Sequence, residues 1–408
     1  MIIQGRLVSS KGVETGQVRF DGDTIAEVGS NIGPPNIVFG DGCLVFAGMG
    51  DIHIHARDDV SQEQIHKEDF ETAGAAAVNG GVVHVADMPN NPAAPIDDES
   101  YAGKCQHLSS RDVPIHITLY AGIGPGTRPL SKPVPYKAYM GPSVGDLFFT
   151  SLAQLEETLQ HYRGQCVSFH CEDPELLEAH KNAATHEQQR PAECELSATK
   201  FALQMIEKFE LTGKLCHYSV KDGLPLIRDA RNRGIPVTCE VTPHHLYYDV
   251  SDIDEVNRPL MQMNPPLRNI EDRLAMLDAL REGIVDYLAT DHAPHTLEEK
   301  ATGVSGQPHL DTYGSFVTWL IGEQGFTPEQ AATFVSEKPG DFVNPFVAPK
   351  RFGYIEPGAV ASLTVLNMSK PYTVVRENLK TKCAWSPFEG TTFPGSVEAV
   401  FVDGERLS

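Results

Sequence analysis

The sequence predicts an α/β protein: a (β/α)8 TIM barrel with a small β-sandwich formed by both chain ends. Three observations predict it. Eight short apolar runs alternate with helix-length segments from Leu44 onward, β-like runs occupy both ends of the chain, and 408 residues suffice for one large domain and a smaller one. The expected division is a composite β-sandwich of residues 1–43 and 355–408, and a barrel of residues 44–354.

Taken in order, residues 1–8, 17–20, 24–28 and 36–39 read as short strands separated by Gly and Asp. Asp21-Gly22 is a hairpin signal, because a two-residue turn of the favoured type needs a positive φ. The eight barrel strands are expected at residues 44–55, 81–88, 114–123, 136–140, 167–171, 215–220, 236–241 and 286–289. Apolar residues at helical spacing fall between most of them, at 66–79, 151–161, 196–209, 224–233 and 271–282. Two more helices, near 313–323 and 328–337, precede β-like runs at 361–366, 372–375 and 397–402, which should join the amino-terminal strands.

Composition narrows the function. A net charge of −22 opposes binding to nucleic acid or to an anionic membrane, so an anionic ligand would need a local cationic pocket. No apolar run reaches membrane length, and the first six residues lack a signal-peptide pattern. The eight cysteines are scattered without a Cys-x-x-Cys, which points to reduced thiols and a cytoplasmic protein.

The polar residues at strand ends carry the chemistry. His53, His55 and Arg57 alternate along the end of the first strand, so they share a face while Ile52 and Ile54 pack behind. The second strand ends in Asp87-Met88-Pro89-Asn90-Asn91, the fourth holds Lys137, the fifth ends in His170, the sixth holds His217, and the eighth ends in Asp291. Any one of these histidines is more simply a hydrogen-bonded rim residue. Four histidines, a lysine and an aspartate on five strands of one barrel mouth form a site.

That set suits two divalent ions. His53, His55 and Asp291 would hold one, His170 and His217 the other, with zinc favoured and manganese or cobalt as alternatives. Lys137 stands where a bridging carboxylate is needed, and an ammonium between two dications would be repelled. Deprotonated, it can add carbon dioxide and bridge both ions as a carbamate. The alternative is that Lys137 pairs with an acidic neighbour such as Asp146.

The motif Gly50-Asp51-Ile52-His53-Ile54-His55-Ala56-Arg57, with the lysine, the two later histidines and the final Asp, resembles the amidohydrolase superfamily. Within it the likeness is to the cyclic amidases dihydroorotase, allantoinase and hydantoinase. It is greatest to dihydroorotase in Ala86-Asp87-Met88-Pro89-Asn90, Glu240-Val241-Thr242-Pro243-His244-His245, Met263-Asn264-Pro265-Pro266-Leu267-Arg268, residues 289–296 and Lys382-Cys383-Ala384-Trp385-Ser386-Pro387-Phe388-Glu389-Gly390.

The resemblance implies metal ligands at His53, His55, carboxylated Lys137, His170, His217 and Asp291. It implies substrate contacts from Arg57, Asn90 and His295, to which Asn264, in the loop after the seventh strand, is a further candidate. The implied reaction is the reversible cyclisation of N-carbamoyl-L-aspartate to L-dihydroorotate in pyrimidine biosynthesis, with Asp291 carrying the proton. Asp291 as a ligand alone is the alternative.

The segment Gly306-Gln307-Pro308-His309-Leu310-Asp311-Thr312 departs from the family's usual Gly-x-x-Gly-Leu-Glu-Thr, which leaves allantoinase and dihydropyrimidinase/hydantoinase as rival readings. A further rival is an inactive homologue that scaffolds aspartate transcarbamoylase. The expected partners are a small anionic cyclic amide, a second copy of the chain in a homodimer, and such a transcarbamoylase. His244 and His245 are expected outside the metal set, and Cys171 and Cys216 are expected to turn away from the mouth as packing residues.

Overall fold

The computed structural model describes residues 1–142 and 147–408. Asp146, the acidic neighbour considered for Lys137, lies outside them.

Both chain ends meet in one eight-stranded sheet rather than in two stacked ones. Its path runs Glu405–Arg406, Ser396–Val402, Leu363–Asn367, Cys43–Ala47, Ile2–Ser9, Gly12–Asp21 and Thr24–Gly29, with Ile37–Val38 also paired to Ile2–Ser9. The sheet rolls until its far strand approaches the chain entering Leu363–Asn367: the Ile25 amide donates to the Ala359 carbonyl at 2.8 Å, and the Ala361 amide to Asp23 at 2.8 Å. Ile3, Val18, Phe20, Val45, Leu363 and Phe401 fill the roll. On the opposite face Val8, Leu44, Phe46 and Val400 join the barrel's core. The hairpin expected at Asp21-Gly22 turns one residue later, through Gly22-Asp23, with Asp21 paired to Thr24 and Gly22 at φ 58°.

The apolar run at 44–55, expected as one barrel strand, is two. Cys43–Ala47 belongs to the terminal sheet, and only Met49–Ile54 enters the barrel. Both halves are buried on both faces, so hydrophobicity alone does not mark the break. The chain crosses at Gly48, where a Cβ would come within 2.3 Å of Val83.

The other barrel strands are Val82–Asp87, His116–Leu119 continuing as Ala121–Ile123, Tyr136–Tyr139, Cys166–His170, Thr212–Leu215, Val237–Val241 and Tyr287–Leu288, paired in parallel. The third strand bends at Tyr120; its first half pairs with the second strand and its second half with the fourth. The ring closes where the His55 amide donates to the His292 carbonyl at 2.8 Å. The sixth strand ends at Leu215 rather than Val220, because His217 takes φ 36° and carries the chain out of the ladder.

The helix expected from residue 66 begins at Phe70, where Asp69 and Thr72 cap each other's backbone amides. At the barrel's amino-terminal end, helix Lys338–Val347 sends Phe342 and Val343 inward against Ile52, Ala86, Tyr120 and Tyr287. This apolar plug closes the floor and leaves the carboxyl-terminal mouth for polar groups. Among the described residues no helix is long and apolar enough to cross a membrane.

Candidate active site

One cavity at the carboxyl ends of the strands is lined by His53, His55, Arg57, Asn90, Tyr139, His170, His217, Asn264, Asp291, Ala293, Ser305 and Gly306. Three of the polar residues sit at positive φ: Arg57 at 57°, His217 at 36° and Asp291 at 49°. Such backbone is unfavourable for side chains larger than glycine's, and it turns these three out of strand alternation toward the cavity.

Asp291 Oδ1 lies 3.1 Å from His53 Nε2 and 3.0 Å from His55 Nε2. The rear nitrogen of His53 bonds a Glu240 carboxylate oxygen, and that of His55 faces Asn90 Oδ1 at 2.7 Å. On the other side of the cavity, His170 Nδ1 faces His217 Nε2 at 2.9 Å, and His170 Nε2 donates to Glu172 at 2.8 Å. Lys137, fully buried on the fourth strand, places its Nζ 5.2 Å from the Tyr139 ring centroid without a hydrogen-bond partner among the described residues.

The charges fit a cation. His53 lies between two carboxylates, so one proton cannot serve as a donor to both. Burial works against a charged ring, but Glu240, and Asp291 after it, outweigh burial and hold the imidazolium up to about 10. The position between His53 Nε2 and Asp291 therefore asks for positive charge, which a divalent ion can supply in place of the proton. Burial pushes His55 down to about 3 and His217 well below the usual imidazole range, so both present lone pairs rather than charge. Neutral imidazoles and a carboxylate around one point are a divalent-ion donor set, and ligand atoms of His53, His217 and Asp291 lie within 4.8 Å of one another.

His53, Cys216 and Glu240 cluster as closely. That grouping corrects the expectation that Cys216 turns away from the site. It is a poor ion site nonetheless, because Glu240 is already bonded to both His53 and the buried Lys214 ammonium. Cys171 does turn away, toward the Phe169 carbonyl at 3.8 Å.

The carboxylates behind the histidines escaped sequence reasoning. Glu240 holds His53 and accepts the His217 amide at 3.0 Å, and Lys214 keeps it ionised. Glu172 holds His170 and is paired with Arg190; burial raises its pKa, yet Arg190 and His170 bring it down to about 2. Glu240 had a signal: an acid inside the buried run Val237–Val241 needs partners. Asp87, paired with Lys104 at 2.6 Å, braces the site by accepting the Ala56 amide at 2.8 Å.

His295 does not line the cavity. It is buried behind Arg57, with Nε2 3.2 Å from the guanidinium and Nδ1 3.2 Å from Glu299. His244 and His245 also stay outside, bonded to His309 at 2.9 Å and to the Pro265 carbonyl at 3.1 Å. His309, one of the residues that depart from the usual loop pattern, thus fills space beside His244.

The chain is similar to known proteins over most or all of its length. A profile of the amidohydrolase family matches residues 151–407. The chain is 30% identical to a dihydroorotase of Pyrococcus furiosus, covering 99% of this chain and 92% of that one, and 30% identical to a dihydroorotase of Pediococcus pentosaceus, covering 99% and 98%. Among solved structures, the L-hydantoinase of Arthrobacter aurescens superposes with a TM-score of 0.90 at 23% identity over 100% of this chain and 95% of that one. A dihydropyrimidinase of Brevibacillus agri does so with a TM-score of 0.86 at 20% identity, covering 100% and 95%. On the profile match and these full-length relatives, the chain belongs to the amidohydrolase family.

Proposed function

We propose that this protein is a dihydroorotase, opening L-dihydroorotate to N-carbamoyl-L-aspartate and closing it in reverse. The observation that carries the reading is Arg57. Its guanidinium is buried at the cavity, and its Nε and Nη1 have no hydrogen-bond partner among the described residues. A buried cation with open donors calls for an anion. A cyclic amide that bears a carboxylate meets the need, whereas hydantoin and allantoin bring none.

In this reading His53, His55 and Asp291 would hold one divalent ion and His170 and His217 a second, zinc before manganese or cobalt, and Lys137, once carboxylated, would be a further ligand. Once bound, the ions would supply Lewis acidity toward the ring carbonyl and lower the pKa of water. The chain's own groups do the rest. Arg57 takes the substrate carboxylate, with Asn90 beside it and His295 fixing the guanidinium from behind. Asn264, whose Oδ1 is buried without a partner in the cavity, accepts a ring N–H. Asp291 receives the proton of the attacking water and delivers it to the ring nitrogen as the C–N bond breaks.

The test is turnover of L-dihydroorotate by zinc-loaded protein, with allantoin and hydantoin run alongside. Opening of dihydroorotate in preference to the uncharged rings is expected. Turnover of the uncharged rings alone would sink the dihydroorotase reading, and absence of both turnover and metal binding would favour an inactive scaffold.

A further inference from the structure

Lys300 has no place in the chemistry above, yet it is fully buried beside the cavity. It stands on the short helix Leu297–Ala301 that follows Asp291 and His295. Its Nζ donates to three backbone carbonyls: Gln262 at 2.8 Å, Val304 at 2.7 Å and Gly306 at 2.9 Å. An ammonium has three N–H donors and an amine two, so three acceptors match the charged form. Burial pulls its pKa down to about 7.

The three carbonyls belong to the two loops that make one side of the cavity. Gln262 leads into Asn264, and Val304 and Gly306 flank Ser305; Asn264, Ser305 and Gly306 all line the cavity. The Gly306 amide donates to the Gln262 carbonyl at 3.0 Å, so the loops are also tied directly. At φ 135°, Gly306 lies so close to the chain after the eighth strand that a Cβ would come within 2.6 Å of the Ala293 carbonyl. Trp385, 5.9 Å from the Lys300 ammonium, donates to the His295 carbonyl at 2.7 Å and anchors the base of the same helix.

We propose that Lys300 is a positioning residue for the substrate side of this cavity: by gathering the carbonyls of Gln262, Val304 and Gly306 around one ammonium, it fixes the wall formed by Asn264, Ser305 and Gly306. Without the ammonium, the Val304 and Gly306 carbonyls would lose this donor, the Gln262 carbonyl would keep only the Gly306 amide, and the tie between the two loops would loosen. The wall touches substrate and not the histidine cluster, so its loosening weakens substrate binding and spares the metal ligands. The kinetic part of this inference rests on the dihydroorotase reading; the structural part does not.

The experiment compares hydrogen exchange over residues 303–307, zinc content and steady-state kinetics in the wild type and in Lys300→Met. The Gly306 amide should exchange at least about tenfold faster in the variant, and KM for L-dihydroorotate should rise at least about tenfold while kcat stays within about threefold. Zinc content should not change. Unchanged exchange, or a loss of zinc and kcat at constant KM, would overturn the proposal. Should Lys300→Met not fold, Lys300→Arg decides: it keeps charge and donors but not their compact geometry, so a raised KM at wild-type zinc content supports the role and a wild-type KM overturns it. If the wild type does not open dihydroorotate, exchange alone decides, and failure of the wall is then distinct from failure of the substrate assignment.

Discussion

Asp291 directs one carboxylate oxygen at His55 Nε2, 3.0 Å away, and His53 Nε2 is nearly as close to the same oxygen. The carboxylate is thus placed both to share an ion with the two imidazoles and to face whatever occupies the cavity. Burial would raise its pKa, but His53, followed by His55, holds it well below the usual carboxylate range, so it stands ionised at neutral pH. Asp291→Asn keeps the shape and removes the proposed base. We expect kcat for dihydroorotate to fall by about a hundred- to ten-thousandfold, measured beside zinc content; a loss that only tracks lost zinc would make Asp291 a ligand alone.

Lys137 is buried and unpartnered among the described residues, which suits a side chain that becomes a carbamate. Lys137→Met should abolish binding of the second zinc equivalent and all measurable turnover. In the wild type, reloading of metal-stripped protein should be faster with added bicarbonate than in carbon dioxide-depleted buffer. Equal reloading rates in the two buffers would count against carboxylation.

Glu240 links His53 to Lys214 inside the barrel. Replacing it by Gln keeps a hydrogen-bond acceptor but removes the charge that makes the ring a better donor to a metal. Zinc affinity, measured by competition with a chelator, should fall about ten- to a hundredfold. An unchanged affinity would reduce Glu240 to a packing role.

In the proposed reading, Arg57 separates the substrates. Arg57→Met should raise KM for L-dihydroorotate by about ten- to a hundredfold, the worth of a charged hydrogen bond, and change turnover of hydantoin far less. Equal effects on the two rings would assign Arg57 to the scaffold.

Glu195 predicts a pH dependence of stability. It is buried, accepts from Ser219 and pairs with Arg268 at 3.3 Å. Burial outweighs these partners and raises its pKa from 4.5 to about 7. Between those values the native state keeps a proton that the unfolded chain has released. Stability therefore falls as pH rises through that window. Thermal unfolding followed from pH 5 to 8 should show this decline in the wild type and a flatter profile in Glu195→Gln; identical profiles would remove Glu195 as its source.

Much of this was legible in the chain itself. Alternation named His53 and His55, and the strands and their ends named Lys137, His170, His217 and Asp291, because period-two patterning and strand-end polarity are local properties; Arg57 was named by the same alternation but reaches the cavity through its positive φ. Six of the expected strands lie close to their observed places, and the sixth runs Thr212–Leu215 where 215–220 was expected. The first was misread because residues buried on both faces carry no alternation, so the Gly48 crossing from terminal sheet to barrel left no trace in hydrophobicity.

Only the tertiary structure decided what stands behind those residues. Glu240 reaches His53 across 187 positions of sequence, His295 backs Arg57 across 238, and Lys300 gathers carbonyls from two loops. Cys216 faces inward for a related reason: His217 turns to positive φ where the sixth strand has already ended, and alternation no longer predicts direction there. By itself the sequence determined which groups could do chemistry at the barrel mouth. Closure of the barrel decided their partners, because a buried charge is satisfied by whatever the fold brings within hydrogen-bond distance, and that neighbour has no fixed spacing along the chain.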